Sequence, residues 1–141
     1  MVPVLSVAET QSEKVLSFLR RYAQHRAGHM VQGWDSTLVR HIYDVHCIFT
    51  HDAKLVDASA LVFAALIQGD VLEFGRQHPE FASDPVAVLT RALDQVGKDM
   101  QTRAEYERNL LPLVYGKVKP SFGEAFASFD TVARTLLKAA R

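Results

Sequence analysis

From Glu9 to Arg141, apolar residues return every three to four positions, and the segments so patterned are divided by capping residues, glycines and prolines. That period restricts the chain to helices packed on helices. Val15, Leu16, Leu19 and Tyr22 place a first helix over about 9–24, with no internal Gly or Pro. His25 to Gly33 holds two glycines and predicts a loop. Asp35 or Ser36 can cap a second helix to about Phe49, striped by Leu38, Ile42, Val45 and Phe49. Asp57 can cap a third, from Ala58 towards Arg76, whose apolar residues lie nearly all round and predict a buried central helix. Asp84-Pro85 joins an N-cap to a proline at the first helical position, where the missing N–H costs nothing. Thr102-Arg-Ala-Glu105 and Ser121-Phe-Gly-Glu124 both fit a capping box. The last three helices are then expected over about 86–100, 103–114 and 122–140, with Gly116 and Pro120 dividing the final two.

One segment breaks the pattern. Val2 to Val7 reads V-P-V-L-S-V, alternating and valine-rich, and predicts a short β-strand. Pro3 cannot donate a ladder hydrogen bond, which suits an edge or a strand start. No second segment reads as a strand, so the partner of this one is expected outside the sequence, or the segment is an extended lead-in lying on the helices. The expected fold is therefore mainly α: a single domain over 1–141, a bundle of about six helices with one N-terminal strand.

Composition narrows the function classes. At 141 residues, the chain has the length of one domain, and 48% apolar with 23% charged residues excludes a disordered or low-complexity segment. Sixteen basic and sixteen acidic residues cancel, so no general attraction to nucleic acid or an anionic membrane is indicated. The longest apolar run, Ala58 to Ile67, is too short to span a bilayer, and Met1 to Ala8 lack a basic n-region; a cytoplasmic location and no membrane partner are expected. With Cys47 alone, an intrachain disulfide is impossible.

The chemistry-bearing residues are few. Six histidines include His41, His46 and His51 at five-residue spacing, which turns each about 140° from the last on a helix. No H-E-x-x-H or C-x-x-C is present, and structural or surface histidines with no metal site are expected. Cys47 beside His46 points elsewhere on a helix and reads as a core thiol. Neither a G-x-G-x-x-G nor a G-x-x-x-x-G-K-[ST] occurs, and the nine aspartates include no D-x-D pair. Two clusters remain: Glu13-Lys14 in the first helix and Arg40-His41-Ile42-Tyr43-Asp44 in the second. Arg40 and Asp44 are four apart on one face; as a surface ion pair they contribute well under ~1 kcal/mol.

At these residues the chain resembles a known family. V-P-V-L-S-V-A-E-T-x-x-E-K at Val2 to Lys14, then R-H-I-Y-D at Arg40 to Asp44, is similar to the later part of AbiEii/AbiGii-type nucleotidyltransferase toxins. Glu105-Tyr106-Glu107, Leu113-Val114-Tyr115-Gly116 and Pro120-Ser121-Phe122-Gly123-Glu124 resemble that family's ending. The sequence departs from it where Val45-His46 follows Asp44 and where Gly123 stands for an acidic residue. The resemblance implies a C-terminal helical part that closes a nucleotidyltransferase site, with an N-terminal core carrying the phosphate loop and an Asp-x-Asp metal pair. By it, Lys14 and Asp44 are the catalytic residues, Lys14 and Arg40 contact the nucleotide, and Mg²⁺ and NTP belong to the complete enzyme, whose acceptor is RNA or protein.

Two expectations follow. In the first, the chain is the helical portion of such a toxin, inactive without its core, binding no cofactor alone, and meeting nucleic acid only in the complete enzyme; an antitoxin is a possible partner. In the second, it is a non-catalytic interaction module that pairs with a partner or a second copy through the strand at Val2 to Val7.

Overall fold

No glycine or proline interrupts residues 4–26, and in the computed structural model they form a single helix, α1 (Val4–Arg26). The structure describes residues 4–28, 34–110 and 120–141. A 3₁₀ turn (Ser36–Val39) leads into α2 (Arg40–His51), followed by α3 (Leu55–Phe74), α4 (Pro79–Ser83), α5 (Pro85–Val96), α6 (Met100–Glu105) and α7 (Phe122–Ala140). A π-helical turn, Tyr106–Leu110, continues α6. Seven α-helices and no strand are found among the described residues.

The expected strand is thus replaced by helix from Val4 onward, while Val2 and Pro3 lie outside the described residues. The physical reason is pairing. A lone strand leaves its N–H and C=O groups without protein partners, at about 1–3 kcal/mol for each that is buried. The helical form gives the carbonyls of Val4 to Val7 intrahelical partners one turn on and leaves only the N–H groups of that first turn outside the helix's own bonding, and valine's propensity cost is only a few tenths of a kcal/mol.

α1 is the centre of the bundle, packed against α2, α3, α5 and α7. Val15, Phe18, Leu19 and Tyr22 enter the core, where Phe18 meets Phe129 of α7 edge-on at 5.6 Å between ring centroids. Its burial extends to polar residues, each tied to α3 or to its own helix. The Ser12 hydroxyl donates to the Ser59 carbonyl at 2.8 Å, and the Ser59 hydroxyl lies 2.7 Å from the Ala8 carbonyl and 2.8 Å from Gln11 Oε1. Arg20 donates to Asp70 at 2.6 Å and to Gln24 at 2.7 Å, with its guanidinium 3.6 Å from the Phe74 ring centroid. Burial opposes both charges of that pair: it lowers the Arg20 pKa and lifts the Asp70 carboxyl above its ordinary range.

α3 is not the buried central helix its composition predicts. Leu55, Ser59, Phe63 and Ile67 face the core, while Leu61 and Leu72 are 85% and 88% exposed. Apolarity all round cannot distinguish a helix enclosed on every side from one that presents an apolar face outward. The helix also extends beyond the run Ala58 to Ile67: its 20 residues hold an 18-residue window of mean hydropathy 1.7, which meets the length and composition of a membrane span.

The punctuation is mostly as expected. Ser121 and Glu124 form a reciprocal capping box on α7, and Asp84 caps α5 ahead of Pro85. At α6 the cap is instead Asp99, whose carboxylate accepts from Gln101 and Thr102 backbone N–H groups at 2.9 and 3.4 Å. Thr102 and Glu105 are buried within the first turns, and Glu105 accepts from the Trp34 indole at 3.0 Å, so the capping box proposed there does not form. Tyr106 is fully buried, packs edge-on against Phe122 and donates to the Pro120 carbonyl at 3.0 Å. Two separated sequence motifs, Glu105-Tyr106 and Pro120-Ser121-Phe122, are therefore one packing unit at the start of α7. Burial pushes the Tyr106 phenol up to about 12. The rest of the expected 103–114 helix, from 111 on, lies outside the described residues, as does Gly116.

Candidate functional site

The core-facing stripe of α1 sets where its next face points. With Val15 and Phe18 inside, Lys14 falls at the rim beside α2. α2 is anchored by Ile42 and Val45, which leaves Arg40 exposed and Asp44 partly exposed at the same rim. There Lys14 Nζ donates to Asp44 Oδ2 at 3.0 Å, with the two side chains 27% and 35% exposed. Thirty residues separate these groups in sequence, and the α1–α2 packing unites them. The i,i+4 pair expected between Arg40 and Asp44 is not formed; Asp44 turns to Lys14, and Arg40 has no ion-pair partner among the described residues.

His41 completes the cluster and carried no role in the sequence reading. Its signal was present, since it stands three residues before Asp44 on one face of the helix. The ring is half-buried, and its Nδ1 has no hydrogen-bond partner among the described residues. Burial lowers its pKa, and the positive charges of Lys14, Arg21 and Arg40 lower it further, against the opposing pull of Asp44. Lys14, Arg21 and Arg40 thus all act electrostatically on the half-buried His41 ring, while Lys14 alone bonds Asp44; the surplus of positive charge on this rim suits anionic oxygen ligands.

The other histidines are scattered. His46 Nδ1 lies 2.8 Å from Ser128 Oγ and ties α2 to α7; His25 lies against Trp34; His78 is buried beside Phe81. His29 lies outside the described residues. No group of three or more His, Cys, Asp or Glu that could hold a metal ion occurs among the described residues. Cys47, expected in the core, is exposed on α2, because the α2 stripe of Ile42 and Val45 turns it outward.

Two of these histidines set a pH dependence. Burial holds His41 and His46 below the ordinary imidazole pKa. Below about pH 6.5 the unfolded chain takes up protons that the folded chain refuses, so stability present above that pH is lost as pH falls towards the folded values. The melting temperature is expected to drop between pH 7.5 and 5.5 at constant salt, and His46→Gln should flatten that drop; an equal slope in the variant assigns it elsewhere.

These features define the class: a mainly helical protein with a partly exposed lysine–aspartate pair at a helix seam, beside arginines. The family model described as "Nucleotidyl transferase AbiEii toxin, Type IV TA system" matches residues 1–128, and the chain belongs to that family. The matched stretch contains Lys14, Arg40, His41 and Asp44. No curated protein and no solved structure matches the chain.

Proposed function

We propose that this chain supplies the helical side of a nucleotidyltransferase site in a toxin–antitoxin pair, and that a core bearing the metal-binding carboxylates works with it. The observation that carries this reading is the Lys14–Asp44 contact at 3.0 Å beside an exposed Arg40, inside the family match. Lys14 and Arg40 take the phosphate oxygens of an NTP; Asp44 holds the Lys14 ammonium at the seam until those oxygens arrive. His41, kept neutral, adds a hydrogen-bonding ring without adding charge.

Mg²⁺ is implied by the chemistry, but the described residues offer no converging set of ligands for it. The sequence also contains no Asp-x-Asp pair and no glycine-rich phosphate loop. Transfer to an RNA or protein acceptor therefore depends on the core, and the chain alone is expected to be inactive. An antitoxin is the partner this family implies. The strand-pairing alternative has lost its element from Val4 onward, where the backbone is helical.

The test is a titration of the ¹⁵N-labelled chain with each NTP, with and without Mg²⁺. Weak binding, on the order of millimolar, is expected, with amide shifts confined to residues 13–15 and 40–44 and abolished by Lys14→Ala with Arg40→Ala. Micromolar, metal-dependent binding contradicts the need for a core. Shifts elsewhere, or none, contradict the site.

A further inference from the structure

We propose that the outward face of α3 is a self-association surface, on which a second copy of this chain packs its own α3 in antiparallel fashion. Leu61 and Leu72 are the most exposed large apolar side chains described, at 85% and 88%. They stand on one stripe with Asp57, Ala65, Gln68 and Arg76, all six exposed and within about 100° of arc at the helical period. Arg76 lies two residues beyond the helix end, where Gly75 keeps right-handed helical backbone angles.

The choice of occupant comes from the symmetry of that stripe. A single two-fold axis through the point between Leu66 and Ile67 sets Leu61 opposite Leu72, Ala65 opposite Gln68, and Asp57 opposite Arg76. The two leucines are about 16 Å apart along the axis, and the two charged ends about 28 Å apart, so neither pair can form within one helix. Asp57 and Arg76 have no ion-pair partner among the described residues. Across the axis each finds one partner, so the Asp57–Arg76 pair forms twice, once at each end of a strip with leucines flanking Ala65 and Gln68. An unrelated partner has no need of this mirror order; a second copy requires it.

A single helix pair covers less than the ~1,600 Å² of a standard interface, so a dissociation constant on the order of 10 µM is expected. Sedimentation equilibrium of the full chain should show a reversible monomer–dimer system in that range. Leu61→Asp, at an exposed position, should weaken it about tenfold or more with unchanged far-UV circular dichroism. Asp57→Arg and Arg76→Asp should each weaken it, since each sets like charges together, and the double swap should restore it. Three results overturn the proposal: a monomer up to several hundred micromolar, a dimer indifferent to Leu61→Asp, or a folded double swap that fails to recover. A monomer that instead co-sediments with phosphatidylcholine–phosphatidylglycerol vesicles also overturns it, assigning the face to a lipid surface.

Discussion

Asp70→Ala should lower stability by about 3 kcal/mol, which for a chain of this size is a fall in melting temperature of roughly 10 °C. The size follows from what the substitution leaves behind. Arg20 is only 6% exposed, and Asp70 is the one carboxylate that ion-pairs with it among the described residues, at 2.6 Å. Without Asp70, a buried guanidinium keeps Gln24, the face of Phe74 and the more distant charge of Glu73. Burial already depresses the Arg20 pKa, which shows how hard the site resists an uncompensated charge. Two comparisons separate this mechanism from simple loss of contacts. Arg91→Ala, which breaks the surface pair with Glu80 where both side chains are over 60% exposed, should change stability by well under ~1 kcal/mol. Arg20→Met combined with Asp70→Leu should recover much of the loss, since an apolar pair of similar volume removes both desolvation costs. Thermal denaturation followed by circular dichroism reads all three. If Asp70→Ala melts with the wild type, the clasp between α1 and α3 contributes nothing net.

That clasp also marks the limit of what the sequence shows. Helical period and capping chemistry are local signals, and they located α2, α5 and α7 well: Asp84-Pro85 and Ser121 with Glu124 act at their helix starts as their side chains dictate. Which helix lies in the middle is a tertiary property. α1, carrying Arg20, Gln24, Gln11 and Ser12, reads as more polar than α3, yet it is the more enclosed of the two, because α3 supplies Asp70 and Ser59 to meet those groups. A polar residue in a sequence does not announce the partner that lets it be buried. The same logic explains Val4 to Val7, where an alternating pattern gives way to helix and no strand among the described residues is there to pair with it. At the site, Lys14, Arg40 and Asp44 were legible through family resemblance alone. Spacing could pair Arg40 with Asp44 but could not reveal that Lys14, thirty residues earlier, takes that carboxylate instead.

On the proposed reading, Lys14→Ala should reduce nucleotidyl transfer by the chain together with a catalytic core about 10²–10³-fold in kcat/KM, while changing stability by less than ~1 kcal/mol. These two magnitudes come from different environments of the same ammonium. In the free chain Lys14 and Asp44 are about a third exposed, so solvent screens their attraction and the pair adds little to folding. In the proposed site, with an NTP bound and water displaced, the same charge would face developing negative charge on phosphate oxygens, where each fixed cation counts for several kcal/mol. A purely structural ion pair gives the opposite outcome, and a charge exchange separates them. Lys14→Asp combined with Asp44→Lys rebuilds an ion pair across α1 and α2 and should melt with the wild type. It moves the cation from α1 to α2, away from the position proposed to meet the nucleotide, and should stay at least 10²-fold down in transfer. Recovery of activity together with stability reduces Lys14 and Asp44 to a strut between two helices; failure to recover activity while stability returns identifies Lys14 as the group that meets the nucleotide.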